Sequence, residues 1–425
     1  MRRWAARILI SLFVLAAVAA AAVWAVVFYS SRDPHPSLQL AHGTLALRHA
    51  RIYTAPGAPP IDDGTLLIRD GLIAAVGTQV AIPAGATEIP CNGCVVTAGF
   101  WNTHVHFTEP KWSGAAWESA PQLNAQLADM FLSRGFTTVV DLASNPYATL
   151  SLRRRIEHGE LTGPYIYTAG IALYPPHGLP FYVRETVPRW VQWLAAQPAT
   201  PDAARRAVRR NQNLGADVTK LFTGSWVQRG QVLPMPLEIA RAAVDESHLN
   251  GAIVFAHPSD LAGTRVAIDS GVDILAHAAD DTRGVDDALL TAAIRKNMAM
   301  IPTLKMFSTT VTTDPHYMDP IRAEVRRYHE LGGQLLFGTD VGYMTDYSTE
   351  REFAELAASG LDFPTVLAML TTNPAARLGV SAAKGTIAPG KLADLTILSA
   401  DPAQNLANFS RVQAVVRSGR VVWQR

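Results

Sequence analysis

Cysteine is nearly absent from this chain of 425 residues, and neither sign of charge dominates it. Only Cys91 and Cys94 occur, so a thiolate zinc site would lack two further cysteines, and with no helix starting at the pair a thioredoxin-type redox motif is excluded. Asn92-Gly93 between them reads as a two-residue hairpin turn, across whose base the thiols could close a disulfide in an oxidising compartment. The 37 Lys and Arg against 36 Asp and Glu leave a formal charge of +1. The basic residues are dispersed and no recognition module is present, which excludes nucleic acid as a partner and confines any membrane attraction to a local segment.

Charge is missing altogether between Ile8 and Tyr29. At about 1.5 Å per residue this run covers about 33 Å as a helix, enough for a bilayer core of about 30 Å. Ser11 is its one polar residue and no charge interrupts it, which argues against a buried core helix. Arg2, Arg3 and Arg7 precede it and a single Arg32 follows closely, predicting a cytoplasmic N-terminus and the rest of the chain on the periplasmic or extracellular side. A retained anchor is the preferred reading; small residues from Ala16 to Ala25 would suit a signal peptidase, and cleavage would release a secreted protein. Arg2-Arg3 alone does not build a twin-arginine signal.

What is present begins with Thr97-Ala98-Gly99-Phe100-Trp101-Asn102-Thr103-His104-Val105-His106-Phe107. On a strand, residues i and i+2 share a side, so His104 and His106 can reach one ion. Four further apolar segments each end in one possible ligand: Lys220, His257, His277 and Asp340. Continuous apolar runs are expected of parallel strands buried on both faces, and parallel barrels build their sites at the C-terminal strand ends.

With 48% hydrophobic residues the chain can bury at least one large core. Short strands at 45–52, 64–69, 72–77 and 94–97, broken by turns such as Asp62-Asp63-Gly64 and Arg69-Asp70-Gly71, suggest a small β-sandwich completed by 395–398 and 412–423. Strands near 99–107, 137–142, 165–171, 217–222, 252–258, 272–278, 298–304 and 334–342 alternate with helices such as 120–134, 201–214, 236–248 and 286–297, implying a (β/α)8 TIM-like barrel. The expected fold is therefore α/β: a basic segment at 1–7, a transmembrane anchor or signal at 8–29, a linker at 30–39, a discontinuous β-sandwich at 40–98 plus 385–425, and a barrel at 99–384. The stretch 172–200 is too long for a plain loop and should cover the mouth of the barrel.

The order and context of these residues, with Asn373-Pro374-Ala375-Ala376-Arg377-Leu378-Gly379 and Lys384-Gly385-Thr386-Ile387-Ala388-Pro389-Gly390-Lys391-Leu392-Ala393-Asp394-Leu395, resemble the metal-dependent amidohydrolase superfamily. The likeness is to its imidazolonepropionase-like branch, which includes dipeptidases with a modified lysine, and it spans roughly residues 40–425.

The resemblance implies a metal-bridging hydroxide attacking a C–N bond in a small amide, a cyclic amide or imide, or a dipeptide, with two divalent ions, expected to be zinc. His104, His106 and Asp340 would hold the first ion, His257 and His277 the second. Lys220 would bridge both as a carbamate formed from CO2, because a charged ammonium between two cations is unfavourable and a buried lysine loses its proton readily; an unmodified lysine contacting substrate is the alternative. Asp340 would also carry the proton from nucleophile to leaving nitrogen, where the bland reading is a strand end or helix cap.

His177 lies in a loop where related dipeptidases carry a Gly-Gly-His segment near substrate. Trp226 and Arg229 follow Lys220 as a conceivable aromatic wall and anion clamp, set against a packed Trp and a surface Arg. His158, His248 and His329 fall near helix ends and read as structural. Pro258-Ser259-Asp260 after His257 and Ala278-Ala279-Asp280-Asp281 after His277 depart from the commoner family pattern, in loops that shape the pocket. A one-ion deaminase is disfavoured by Lys220, and a non-catalytic membrane-tethered scaffold by the filling of all the ligand positions. The substrate is small by this reading, and oligomeric state is not encoded in any visible motif.

Overall fold

The computed structural model describes residues 2–30, 35, 37–91, 93–192 and 195–425. The side chains of Arg2 and Arg3, linker residues 31–34, Asn92 of the expected turn and residues 193–194 of the stretch expected over the mouth lie outside the description. A helix at Arg2–Ser30 opens the chain. Within it Arg7–Tyr29 is long and apolar enough to cross a membrane and is not buried against the rest of the fold.

Strands from both ends of the sequence then join in one antiparallel-dominated sheet: Thr44–Ile52, Ile61–Arg69, Leu72–Gly77, Thr87–Glu88 and Val95–Ala98 with Leu395–Leu398, Val412–Arg417 and Arg420–Gln424. The return of the C-terminal strands is fixed where Leu395–Leu398 pairs antiparallel with Val95–Ala98. Leu47, Ile52, Leu66, Ile68, Val96, Leu395, Ile397 and Val416 supply its separate apolar core.

The described strands join in one hydrogen-bonded sheet, with Thr87–Glu88 pairing off its main path with Thr44–Ile52, and three local expectations change. Asp62-Asp63-Gly64 is not a turn: it lies inside Ile61–Arg69 at a register shift, where Asp63 has φ +50° and Gly64 lets Ile52 approach to a distance a methyl group would not allow. The segment 412–423 is two strands joined through Ser418-Gly419. Cys91 and Cys94 are disulfide-bonded with Cα atoms 5.1 Å apart, but no hairpin reverses there. Thr87–Glu88 and Val95–Ala98 both run parallel to Thr44–Ile52, so the disulfide closes a short excursion between collinear strands.

The central part alternates strands and helices as the periodicity predicts. Its parallel strands are β1 Phe100–Val105, β2 Phe136–Asp141, β3 Tyr165–Thr168, β4 Thr219–Phe222, β5 Val254–His257, β6 Ile274–Leu275, β7 Ala299–Met300 and β8 Gln334–Leu335. They form a three-stranded sheet (β1, β2, β3) and a five-stranded sheet (β4 to β8). Backbone hydrogen bonds cross both seams: Asp217 N–H to Thr168 C=O at 2.8 Å and Leu173 N–H to Lys220 C=O at 2.9 Å on one side, Thr103 N–H to Phe337 C=O at 2.8 Å and His106 N–H to Val341 C=O at 2.7 Å on the other.

Helix boundaries follow local chemistry. Thr200 caps Pro201–Leu214 through the Ala203 N–H, Pro201 opens the first turn and Gly215 closes it in the left-handed region, the usual sequence of start and stop signals. Asp260 and Asp286 cap the helices after β5 and β6 in the same way. The hairpin Gly224–Gln228 with Gln231–Pro234, right after β4, went unseen because its residues read as loop.

Candidate metal centre

The strand ends bring the expected ligands to one place. His104 and His277 are buried, Asp340 is 5% exposed, and one donor atom of each lies within 4.8 Å of those of the other two. His106 joins them through Nε2, 3.0 Å from Asp340 Oδ1, while His104 Nε2 is 3.3 Å from the same oxygen. The His257 and His277 ring centres are 4.4 Å apart, and His277 and His104 4.5 Å apart. Phe222 stacks on His257 at 4.7 Å and walls that side.

Each ring is oriented from behind. His104 Nδ1 lies 2.7 Å from the Ala276 carbonyl, His106 Nδ1 2.9 Å from the Ala143 carbonyl and His277 Nδ1 2.6 Å from Thr303 Oγ1. A carbonyl accepts only, so Nδ1 of the first two carries the proton and Nε2 is left as a lone-pair donor facing the site. Burial, reinforced by the Lys220 charge at His104 and His257, holds the His104, His257 and His277 imidazoles well below the usual histidine range. At His106 burial also pulls downward, but the close approach and charge of Asp340 and the charge of Asp141 outweigh it, and the ring is raised.

Lys220 is 1% exposed. Its Nζ, like Asp340 Oδ1, has no hydrogen-bond partner of good geometry among the described residues. Burial pulls the amine down to about 7 against the opposing pull of Asp340. A lone buried ammonium is costly by several kcal/mol, and donor atoms that converge without bonding one another are what a missing cation leaves behind. The set of imidazole nitrogens, a carboxylate and an amine fits a divalent ion of the zinc kind.

Asp340 is held in the left-handed region at φ +59°, a strained conformation for a residue with a Cβ. Glycines on either side permit the close approach: a methyl group at Gly338 would sit 2.8 Å from His104 Cβ, and one at Gly342, φ +99°, 1.9 Å from the His106 carbonyl oxygen. Gly342→Ala is therefore expected to cost at least ~3 kcal/mol, adding backbone strain to a clash with fixed backbone. Calorimetric melting of parent and variant checks this.

Asn102 locks β1 to the Asp340 segment, donating to Thr339 Oγ1 at 2.7 Å and accepting the Thr339 N–H at 3.2 Å. Asp141, at the end of β2, was missed by sequence reasoning. It is fully buried, which raises its carboxyl against the pull of His106, and it accepts from Ser144 at 2.5 Å and Thr168 at 2.8 Å. Thr137-Thr138-Val139-Val140-Asp141 was the available signal, another strand ending in one acid.

The outer residues divide. Trp226 is half-buried on the hairpin after β4 and donates from Nε1 to Asp280 Oδ2 at 2.7 Å. Arg229 is exposed, its guanidinium 5.2 Å from the Phe181 ring centre; the structure shows it stacked on an aromatic ring. His177 is exposed on a tight turn with φ +59°. Helices Phe181–Thr186 and Arg189–Gln192 occupy the long stretch after β3, and Tyr182 from the first packs on Tyr343 at 5.6 Å. His248, in the last turn of Leu237–Leu249, pairs with Asp273 at 2.8 Å, in keeping with a structural role.

The C-terminal ends of the parallel strands thus gather buried histidines, a lysine and an aspartate, of which His104, His277 and Asp340 are placed as a group that could hold a metal ion. The amidohydrolase family model matches residues 95–422, and the chain belongs to that family, hydrolases that act on carbon–nitrogen bonds. No curated protein matches the chain. Among solved structures it is similar to a Xaa-Pro dipeptidase with methionine bound in the active site, with 21% identity, 90% of this chain and 100% of that one covered and a TM-score of 0.75. A Bifidobacterium longum protein assigned as a prolidase is similar at 27% identity, covering 91% of this chain and 95% of that one, TM-score 0.75. The A. niger ochratoxinase follows the same fold at 22% identity, covering 90% and 96%, TM-score 0.70.

Proposed function

We propose that this chain is an exported, membrane-anchored hydrolase that cleaves the C–N bond of a dipeptide, small amide or cyclic amide, using two divalent ions. The observation that carries this reading is the pair of buried, unpartnered atoms, Lys220 Nζ and Asp340 Oδ1, facing converging imidazoles. His104, His106 and Asp340 would hold one ion and His257 and His277 the other, with Lys220 bridging them. Ions held there would supply a nucleophile at neutral pH and polarise the scissile carbonyl.

The residues do the rest. Burial leaves part of the Lys220 amine neutral near pH 7, free to form an N–C bond with CO2 and shed a proton, which yields an anionic bridge. Asp340 Oδ1, aimed into the centre, takes the proton of the nucleophile and returns it to the leaving nitrogen. Phe222 beside His257 limits water on that side. The parallel strands are read as one closed (β/α)8 barrel at 99–384, and the terminal strands as a sandwich-like domain at 40–98 plus 385–425.

Likeness to dipeptidase-type structures supports peptides as the first substrates to try. A panel of dipeptides, N-acyl amino acids and cyclic imides is expected to contain at least one compound whose hydrolysis is lost on chelation and restored by zinc. Inertness toward the whole panel with metal bound would contradict the proposal. Arg7–Tyr29 supports the anchor. The full chain is expected in the membrane fraction, extracted by detergent but not by high salt; release by salt alone would contradict a spanning anchor.

A further inference from the structure

Three residues beyond His277, Asp280 carries an oxygen that nothing in the proposed chemistry uses. Its Oδ2 is fixed by the Trp226 indole N–H at 2.7 Å. Its Oδ1 is fully buried with no hydrogen-bond partner of good geometry, and the side chain forms no ion pair among the described residues. The neighbouring acids are already served: Asp281 by Arg283 at 2.5 Å, and Glu324 by the Ala279 N–H at 3.1 Å. Within this group Asp280 Oδ1 is left without a hydrogen-bond partner of good geometry among the described residues, and a buried polar atom without one calls for an explanation.

Its position says where the partner comes from. Asp280 follows His277 at the end of β6, and Trp226 sits on the hairpin that follows Lys220 and β4, so their hydrogen bond joins two loops that leave the strand ends carrying the candidate ligands. Glu324 from the helix Met318–Glu330 accepts from the N–H of Ala279, the residue before Asp280. The surroundings are thus aromatic and acidic, a combination that favours a cation over a neutral donor.

We propose that Asp280, held by Trp226 three residues beyond His277, forms an ammonium-binding subsite beside the metal centre and receives the free amino group of an amide or dipeptide substrate. The subsite rests on the hydrolase reading above and adds its substrate class: compounds with an unblocked amine near the scissile bond. Burial pushes the Asp280 carboxyl up to about 7 even though the Trp226, Asp280 and Asp281 N–H groups pull it down. An arriving ammonium would restore the charged form, so the empty subsite tolerates burial and the filled one is ion-paired. The loop after His277 then acquires a function.

The test is calorimetric titration of the zinc-loaded full chain with glycinamide and with N-acetylglycinamide, which lacks the ammonium, repeated on Asp280→Asn and Trp226→Phe. The expected result is saturable binding of glycinamide alone, weakened about 30-fold by Asp280→Asn, the scale of a hydrogen-bonded charge pair, and less by Trp226→Phe, which frees Oδ2 but keeps the acid. Equal binding of the two probes, or glycinamide binding unchanged in Asp280→Asn, would overturn the proposal. Should Asp280→Asn fail to fold, unchanged glycinamide affinity in Trp226→Phe would overturn it equally. The titrations are run in the Asp340→Asn background, where turnover is expected to be slow, so an inert substrate panel counts against the hydrolase reading and leaves this result to stand or fall separately.

Discussion

Asp340→Asn is expected to lower kcat by about 10³-fold, the middle of the range for a positioned proton-transfer group, while the protein stays folded. The amide keeps the size of the side chain, so the left-handed backbone at φ +59° and the close packing of Gly338 and Gly342 are retained. What changes is Oδ1, which lies 3.0 Å from His106 Nε2 and 3.3 Å from His104 Nε2. An amide there is a weak ligand and cannot accept a proton from a nucleophile. Initial rates at saturating substrate, with melting temperature as control, check the result; a loss below tenfold would remove Asp340 from the chemistry.

Lys220→Ala should cost more than ~10²-fold in activity, since even groups that merely orient metal ligands contribute 10–100-fold to metal affinity or activity. Measured on metal-free protein, its stability should change little or rise, because a buried amine without a partner is removed and its desolvation cost disappears with it. That opposition, activity down with Tm held or raised, separates a functional lysine from a structural one. Activity within threefold of the parent, or a Tm fall of many degrees, would assign Lys220 to packing.

Much of the centre was legible because each strand is an apolar run closed by one polar residue: His104 and His106, Lys220, His257, His277 and Asp340 all follow that pattern. Asp141 follows it less plainly, because Thr137-Thr138 interrupt its apolar run. The devices that aim the ligands were not legible. Asn102 meets Thr339 across the chain, and His104 leans on the carbonyl of Ala276; backbone acceptors have no sequence signature, and contacts so distant in sequence depend on how the strands close. Local turn chemistry misled at Asp62-Asp63-Gly64, where the same residues that favour a turn also favour a bulge. Asn92-Gly93 misled similarly, since hairpin formation needs antiparallel flanks and these are collinear. The pairing of Trp226 with Asp280 joins two loops that sequence could only mark as unusual.

The central claim is that these side chains hold a bridged pair of divalent ions. Elemental analysis of metal per chain tests it most directly, on detergent-solubilised full-length protein produced with zinc and bicarbonate, beside Lys220→Ala. The account predicts about two ions per parent chain and clearly fewer in the variant. One ion or fewer in the parent, unchanged by the substitution, would contradict it.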